Sequence, residues 1–255
     1  MVHKKNNKTV LITGGTSGIG LALAKRFVRE GYQVILVSSR ESRLASAKKM
    51  LIRNNPHARV ETICQDLSID GAAGRVYQLV TRKNLSVDIL VNNAGVGITG
   101  EAAASGILEG EKLIRLNIQT VTHLCEVYLR DMYQKGHGKI LNVASVGAFM
   151  PGPYTASYYA SKAYVASYSR AIRYEAAGKG VQVCTLYPGT TRTEFFKRAG
   201  SNIPFWAMSA DRVAESAYKG LMRNKEMIIP GALNRMIRLV PAKIKLWGIA
   251  RLKKK

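Results

Sequence analysis

The feature that most constrains the fold is a β-branched strand that runs directly into a glycine-rich turn and then a helix. "TVLIT" (9–13) reads as the strand, "TGGTSGIG" (13–20) as the turn, and an amphipathic stretch begins near Gly18. Gly14 and Gly18 allow a tight turn, and Gly20 allows a phosphate to approach the backbone at the helix N-terminus. Free N–H groups and the helix dipole favour an anion there. The pattern predicts a phosphate-containing ligand, with a ligand-free glycine turn as the alternative.

A phosphate-cradling P-loop is excluded by the residues that follow the turn. Gly15 and Gly20 have the separation of that motif, but Leu21 and Ala22 stand where it requires lysine and then serine or threonine. The glycine spacing also differs from the common G-x-G-x-x-G fingerprint of dinucleotide-binding turns.

Strands and helices then alternate through most of the chain. Further strands are predicted at 33–37, 58–64, 87–92, 139–144, 181–187 and 227–230, and helices beginning near Gly18, Glu41, Ile69, Glu111, Tyr158 and Asp211. Nearly continuous apolar strands indicate a sheet that is covered on both faces, and the alternation implies parallel strands with right-handed crossovers. The predicted fold is α/β: a single-domain, Rossmann-type doubly wound parallel sheet of about seven strands with helices on both faces. This domain is expected to span residues 1–232.

Composition indicates a globular protein of the cell interior. Of 255 residues, 47% are apolar and 22% charged, which suffices for a large core. Cys64, Cys125 and Cys184 are widely spaced and form no CxxC pair, so reduced, buried thiols are expected and no metal site is predicted. Neither a signal-peptide core nor an apolar run of about 18 residues is present, and the sequence predicts a cytoplasmic protein.

The glycine turn resembles that of the short-chain dehydrogenase/reductase family. Gly14-x-x-x-Gly18-x-Gly20, preceded by Thr13, carries this resemblance, which extends from residue 9 to about residue 230. The resemblance implies an oxidoreductase that transfers a hydride between a nicotinamide cofactor and a carbonyl or alcohol carbon.

The end of the second strand predicts which nicotinamide cofactor is used. Family members that use NAD place an acidic residue there, but this chain has Ser39 followed by Arg40. An acid would hold the ribose hydroxyls and repel a 2′-phosphate, whereas Ser39 and Arg40 would accept that phosphate, with Arg43 as a helper. NADP(H) is therefore preferred over NAD(H). The alternative is that both arginines are only solvated charges at the start of a helix.

The resemblance implies further cofactor contacts along the carboxyl ends of the strands. Asp66 and Leu67 would contact the adenine, the "NNAG" stretch (92–95) would lie against the cofactor, and Thr193 would meet the nicotinamide carboxamide. The full implied set is Thr13, Gly14, Thr16, Ser17, Gly18, Ile19, Gly20, Ser39, Arg40, Arg43, Asp66, Leu67, Asn93, Ala94, Gly95, Tyr158, Lys162, Pro188, Gly189, Thr191 and Thr193.

The catalytic residues are implied by a Y-x-x-x-K spacing in "SYYASKAY" (157–164). Tyr158 and Lys162 satisfy it and would share a helical face, whereas Tyr159 would lie on another face. A phenol with a pKa near ~10 needs a nearby cation to act as an acid or base at neutral pH, and Lys162 supplies one. In the family's pattern, Ser145 hydrogen-bonds the substrate oxygen and Asn117 holds a water that links the lysine to solvent.

A substrate lid is predicted between Thr190 and Met208. It carries the aromatic residues Phe195, Phe196, Phe205 and Trp206, which favour an apolar substrate. These side chains could instead anchor the loop to the core or form a subunit contact.

The last 23 residues, 233–255, form a basic and apolar tail. Lysine and arginine total 39 against 16 acidic residues, a formal net charge of +23, and no acidic residue follows Glu226. Pro241 and Gly248 are expected to divide the tail into short amphipathic pieces. An anionic membrane surface on the inner face of the membrane is the predicted partner. Packing over the substrate pocket and a subunit contact remain open, and specific nucleic-acid binding is not expected because no recognition motif is present.

A small-molecule carbonyl or alcohol is the predicted substrate, and carbonyl reduction the main direction. The alternative function is an NADP(H)-binding scaffold or redox sensor with little turnover. The resemblance also implies a homodimer or homotetramer built on the helices around 111–135 and 156–177.

Overall fold

The computed structural model describes residues 7–195, 204–238 and 240–253. Within these ranges the strands are β1 (Thr9–Thr13), β2 (Gln33–Ser38), β3 (Val60–Cys64), β4 (Ile89–Asn92), β5 (Gly138–Val143), β6 (Val181–Leu186), β7 (Thr191–Arg192), β8 (Met208–Ser209) and β9 (Met227–Ile228). The helices are α1 (Gly18–Arg29), α2 (Glu41–Asn54), α3 (Ala72–Arg82), α4 (Ile107–Ile114), α5 (Thr120–Lys135), α6 (Ala156–Ala176), α7 (Ala210–Met222), α8 (Ala232–Ile237) and α9 (Ala242–Lys253).

The main sheet confirms the predicted doubly wound α/β fold. In the described part of the chain its seven strands are all parallel and lie in the order β3-β2-β1-β4-β5-β6-β9. The strand order reverses between β1 and β4, because the chain first winds outward to β3 and then returns past β1. A crevice forms outside the carboxyl ends of the strands at such a reversal, and ligands bind there in this class of sheet.

Both faces of the sheet are covered, which is why the strands are apolar throughout. On one face, Val10 and Ile12 of β1 pack in a buried cluster with side chains of α1, α2 and α7. On the other face, Leu11 packs in a second cluster with side chains of α3, α5 and α6. Successive residues of a strand point to opposite faces, so a strand between two helical layers has no solvent-facing side.

Element boundaries differ from the predicted ones where backbone geometry intervenes. The helix expected near Ile69 begins at Ala72, because Gly71 before it has a left-handed backbone with φ 69°. The helix expected near Glu111 begins at Ile107 and is followed by a π-helical turn, Arg115–Gln119. The short parallel pair β7–β8 was not predicted, since two-residue strands carry no periodic signal.

The prediction that Gly248 would break the tail is wrong. Helix α9 runs through Gly248, because a single glycine costs a helix only about 1 kcal/mol relative to alanine. The tail also packs on the domain in part: Lys245 Nζ donates a hydrogen bond to the Phe149 carbonyl oxygen at 2.8 Å. On α8, the amide of Asn234 lies against Gly189. Among the described residues, no helix is both long and apolar enough to cross a membrane.

The cysteines differ in their surroundings. Cys125 and Cys184 are buried as expected, but Cys64 at the end of β3 is exposed, so the expectation of buried thiols is wrong at that position. Burial raises the pKa of Cys125 to about 12 and that of Cys184 to about 11, which keeps both thiols protonated.

Candidate active site

A cleft of about 560 Å³ lies at the carboxyl ends of the strands, beside the point where the strand order reverses. Most of the residues expected in the site line this cleft. They are Gly14, Thr16, Ser17, Gly18, Ile19, Ser39, Arg40, Arg43, Asp66, Leu67, Asn93, Ala94, Gly95, Ser145, Tyr158, Lys162, Pro188, Gly189, Thr191 and Thr193. The other three, Thr13, Gly20 and Asn117, do not line the cleft. They lie behind it and contact residues that do.

The glycine turn is held by backbone geometry. Gly14 (φ 63°) and Gly18 (φ 53°) both adopt the left-handed conformation that other residues rarely take. Gly20 has a packing role that was not predicted. A Cβ on Gly20 would lie 2.5 Å from Asn93 Nδ2 and would also collide with the Gly14 carbonyl oxygen. Gly20 therefore allows α1 to pack closely on the turn, and it does not itself face the cleft.

Thr13 joins the ends of β1 and β4. Its hydroxyl donates to the Val91 carbonyl oxygen at 3.3 Å and accepts from the backbone N–H groups of Asn93 and Ala94 at 2.9 and 3.0 Å. The Asn93 side-chain amide donates in return to the Thr13 and Gly14 carbonyl oxygens at 2.9 and 3.2 Å. This network fixes one wall of the cleft against the glycine turn.

Beside the end of β2, the cleft has a basic edge that is formed by Arg40 and Arg43. Ser39 and Arg40 are exposed at the cleft edge, and Arg43 Nη1 lies 3.1 Å from Glu194 Oε2 in a partly exposed ion pair. Glu41, the acidic residue that follows Arg40, lies beside the Cys64 thiol and does not line the cleft. Asp66 Oδ1 accepts from the backbone N–H and the hydroxyl of Ser68 at 2.8 and 2.7 Å.

Tyr158 and Ser145 face each other at the opposite end of the cleft. Tyr158 lies in the first turn of α6, and Ser145 follows β5, where its Oγ accepts from the Gly147 N–H at 3.1 Å. Burial raises the pKa of Tyr158 to about 12, and a hydrogen bond with Ser145 opposes that rise. The phenol is therefore protonated at neutral pH.

Lys162 lies one helical turn after Tyr158 and is buried. Its Nζ donates to the Val143 carbonyl oxygen at 2.9 Å and lies 5.8 Å from the centre of the Tyr158 ring. Burial lowers the pKa of Lys162 to about 8. A Cβ on Gly95 would lie 3.4 Å from this Nζ, so glycine at that position leaves room for the ammonium group.

Asn117 lies in the π-helical turn between α4 and α5 and is fully buried. Its Oδ1 accepts from the Val96 N–H at 3.0 Å, and its Nδ2 donates to the Val96 carbonyl oxygen and to Ser161 Oγ at 2.9 and 3.1 Å. Ser161 Oγ in turn donates to the Tyr158 carbonyl oxygen at 2.7 Å. Asn117 thus positions the loop after β4 against the start of α6. Sequence reasoning missed Ser161, since a serine inside a helix carries no motif signal.

A profile described as short chain dehydrogenase matches residues 8–204 of the chain. The protein belongs to this family. The 3-oxoacyl-(acyl-carrier-protein) reductase FabG of Buchnera aphidicola is 30% identical over 196 residues, covering 77% of this chain and 78% of that protein.

Two solved structures resemble this short-chain dehydrogenase over nearly its whole length. A short-chain dehydrogenase from Sphingobium yanoikuyae in complex with NADPH has 32% identity and a TM-score of 0.84, covering 94% of this chain and 95% of that one. The bulky-bulky ketone specific alcohol dehydrogenase from Comamonas testosteroni has 29% identity and a TM-score of 0.80, covering 95% and 94%.

Tyr159 departs from expectation in this dehydrogenase. It was predicted to lie on another face from Tyr158, yet it also lines the cleft. A Cβ on Gly152 would lie 2.5 Å from Tyr159 Cδ2, and one on Gly147 would lie 3.2 Å from the same ring. The absence of a side chain at these two glycines leaves room for the Tyr159 ring. Tyr158 and Tyr159, although neighbours on α6, therefore both line the cleft.

The predicted lid divides into parts with different surroundings. Phe195 lines the cleft, whereas Phe205 and Trp206 are 88% and 65% exposed and do not. Phe196 lies outside the described residues. The loop 96–99 after β4 lines the cleft and was missed, although its position directly after "NNAG" was a signal that could have identified it.

Proposed function

We propose that the protein is an NADP(H)-dependent oxidoreductase that acts mainly as a carbonyl reductase on small molecules with apolar substituents. The observation that carries the proposal is the placement of Ser145, Tyr158 and Lys162 on one wall of a cleft whose other end is the glycine turn. The family membership supports the reaction class, and the protonated Tyr158 is the form that a carbonyl reduction needs.

The cleft suits a dinucleotide at its glycine end. Ser17 precedes α1 without forming a side-chain capping bond, so its hydroxyl does not occupy the N–H groups of the first turn. Such N–H groups at a helix N-terminus bind a pyrophosphate. The left-handed Gly14 and Gly18 keep the turn free of side chains over that position.

The basic edge supports NADP(H) over NAD(H). No carboxylate follows β2 before Glu41, and Glu41 faces Cys64 outside the cleft. Arg40 and Arg43 would instead pair with the 2′-phosphate. The NADPH complex of the Sphingobium yanoikuyae relative supports the same choice.

The proton chemistry follows from Tyr158. A bound nicotinamide would supply the hydride, and Tyr158 would donate its phenolic proton to the carbonyl oxygen of the substrate. With a pKa of about 12, the phenol is in the form required for reduction at neutral pH. Ser145 would donate a hydrogen bond to the same oxygen as its negative charge develops. The Lys162 ammonium would stabilise the phenolate that remains.

An apolar carbonyl compound fits the catalytic end of the cleft. That end is lined by Val96, Ile98, Leu116, Val146, Tyr159 and Phe195. Apolar and aromatic walls with a few placed polar groups are the usual lining of small-molecule sites. The ketone substrate of the Comamonas testosteroni relative supports this class.

Fluorescence titration with NADPH and NADH tests the cofactor. We expect NADPH to bind at least about tenfold more tightly than NADH, and Arg40→Ala to lose most of that difference. Equal affinity for both cofactors would contradict the role of Ser39 and Arg40. NADPH-dependent reduction in a panel of ketones tests the activity, and tight NADPH binding without turnover on any of them would favour the scaffold alternative.

We propose an anionic membrane surface as a partner of the tail. Leu233, Met236, Ile244 and Trp247 are each at least 60% exposed, among basic side chains and with no acidic residue after Glu226. Each basic group near such a surface contributes about 1 kcal/mol. Sedimentation with vesicles should retain the full chain on phosphatidylserine-containing membranes and not on neutral ones, and deleting residues 233–255 should abolish retention. Equal retention of the deletion variant would contradict this role.

A homodimer or homotetramer is the proposed assembly. Tyr164 and Tyr174 are exposed on α6, and Ile107, Leu108 and Ile114 are exposed on α4. Light scattering of the purified protein would give the mass, and a monomer at micromolar concentration would contradict the proposal.

A further inference from the structure

The Phe195 ring covers the phenol of Tyr158. The two ring centres are 5.3 Å apart with an angle of 46° between their planes. Phe195 follows β7, whereas Tyr158 lies in the first turn of α6, so the contact joins two segments that are distant in the chain. The Tyr158 ring also meets Tyr159 edge-on, with the centres 6.0 Å apart. Aromatic side chains thus surround the phenol on two sides.

Gly97 provides the space that the Phe195 ring occupies. A Cβ at Gly97 would lie 2.8 Å from Phe195 Cζ, closer than unbonded carbon atoms approach each other, and 3.4 Å from Cε1. Gly97 belongs to the loop after β4, which Asn117 holds in place through both backbone groups of Val96. The Phe195 ring therefore spans the cleft from that loop to the catalytic tyrosine.

We propose that Phe195 is the specificity-determining residue of this enzyme and sets the size of the carbonyl substituent that reaches Tyr158. The inference rests on the proposed carbonyl reductase function and deepens it by naming what limits the substrate. A carbonyl group must approach the phenol within hydrogen-bond distance, and its larger substituent then meets the volume that the Phe195 ring fills. Ketones with one small substituent fit beside the ring, whereas ketones with two bulky substituents require its displacement.

Comparing two ketones in one variant series tests this assignment. Acetophenone has one methyl substituent and benzophenone has two phenyl rings. We expect Phe195→Ala to raise kcat/KM for benzophenone, relative to acetophenone, by at least about tenfold, and Phe195→Trp to change the ratio in the opposite direction. Phe205→Ala is the matched control: this phenylalanine lies in the same predicted lid but is 88% exposed and outside the cleft, so its removal should leave the ratio unchanged. An unchanged ratio in Phe195→Ala would overturn the proposal.

A second measurement does not depend on turnover. Burial holds the pKa of Tyr158 at about 12, so removing the ring that covers it should lower that pKa. NMR of protein labelled with carbon-13 at tyrosine Cζ would follow the titration, and Tyr158→Phe would assign the signal. A lower pKa in Phe195→Ala supports the contact even if no ketone is reduced and the proposed function fails. An unchanged pKa overturns the inference even in an active enzyme. Phe195→Leu serves both measurements if the alanine variant does not fold.

Discussion

The two ends of the cleft are constructed in different ways. At the glycine end, Thr13, Gly14, Gly20 and Asn93 hold one another through close backbone packing and hydrogen bonds of 2.9 to 3.2 Å. At the catalytic end, the walls are apolar side chains from separate segments, and Phe195 reaches Tyr158 from the segment that follows β7. The glycine end therefore presents backbone groups at fixed positions, as a common cofactor requires. The catalytic end presents side chains, whose exchange changes the shape of the pocket without moving the backbone.

This difference indicates how each end should respond to substitution. A change at the glycine end should affect folding and cofactor binding together, since the same backbone serves both. A change at the catalytic end should affect turnover or substrate choice and leave cofactor affinity nearly intact.

The largest expected effect is that of Tyr158→Phe. Removing the hydroxyl removes the proposed proton donor, so kcat for ketone reduction should fall by about 10²–10⁴-fold. NADPH affinity measured by fluorescence should stay within about threefold of wild type, a difference of less than 1 kcal/mol. Tyr159→Phe is the matched control, because this second tyrosine also lines the cleft but stands outside the Tyr158–Lys162 spacing, and it should lose far less activity. Equal losses in both variants would contradict the assignment of Tyr158.

The second largest expected effect is a difference in pH dependence between ketone reduction and alcohol oxidation. In the proposed mechanism, reduction requires the protonated phenol, which is present at every pH below about 12, and the Lys162 ammonium, which is present below about 8. Ketone reduction should therefore be level up to about pH 8 and fall above it. Alcohol oxidation would require the phenolate, so its kcat/KM should rise by up to about tenfold per pH unit up to about pH 8, where ketone reduction is level.

Lys162→Arg sharpens the pH experiment. A guanidinium remains protonated across the whole range, so the fall in ketone reduction above pH 8 should disappear if Lys162 causes it. A fall that persists in this variant would assign it to another group.

Gly20→Ala should have an intermediate effect and act at the glycine end. The added methyl group would meet Asn93 Nδ2 and the Gly14 carbonyl oxygen, and such overpacking costs about 1–3 kcal/mol of unfolding free energy. Denaturant unfolding would measure the loss, and NADPH affinity should weaken with it. Gly74→Ala is the control, because a Cβ at that position of α3 meets nothing within 4 Å. This control should gain about 0.5–1 kcal/mol from helix propensity. Equal stabilities of the two variants would contradict the packing role of Gly20.

Sequence reasoning succeeded where the signal was local. Gly14 and Gly18 stand in one short motif, and the spacing of Tyr158 and Lys162 reports a helical turn that α6 then forms. The alternation of apolar strands with helices likewise predicted the order of elements, because each strand is covered on both faces.

The parts that could not be predicted depend on contacts between distant segments. Gly97 makes room for Phe195, which lies almost a hundred positions later in the chain, and neither residue stands in a recognisable motif. Ser161 matters only because Asn117 lies beside it in the folded protein. The role of Gly20 as a packing position was hidden for the same reason, since Asn93 approaches it across the turn.

Glu194→Gln should have the smallest effect. Glu194 lies between the basic edge and the catalytic end of the cleft. Glu194 pairs with Arg43 at the basic edge, and the next residue is Phe195. A 2′-phosphate that draws on Arg43 must compete with this carboxylate, so its neutralisation should tighten NADPH binding and leave NADH binding unchanged. The pair is partly exposed, and such pairs contribute about 0–1 kcal/mol, which limits the gain to about fivefold. The gain should disappear in the Arg43→Ala background, where there is no guanidinium to release. Tighter binding of both cofactors would instead indicate that the negative charge of Glu194 weakens cofactor binding by electrostatic repulsion. In that case the effect would not depend on the Arg43–Glu194 pair.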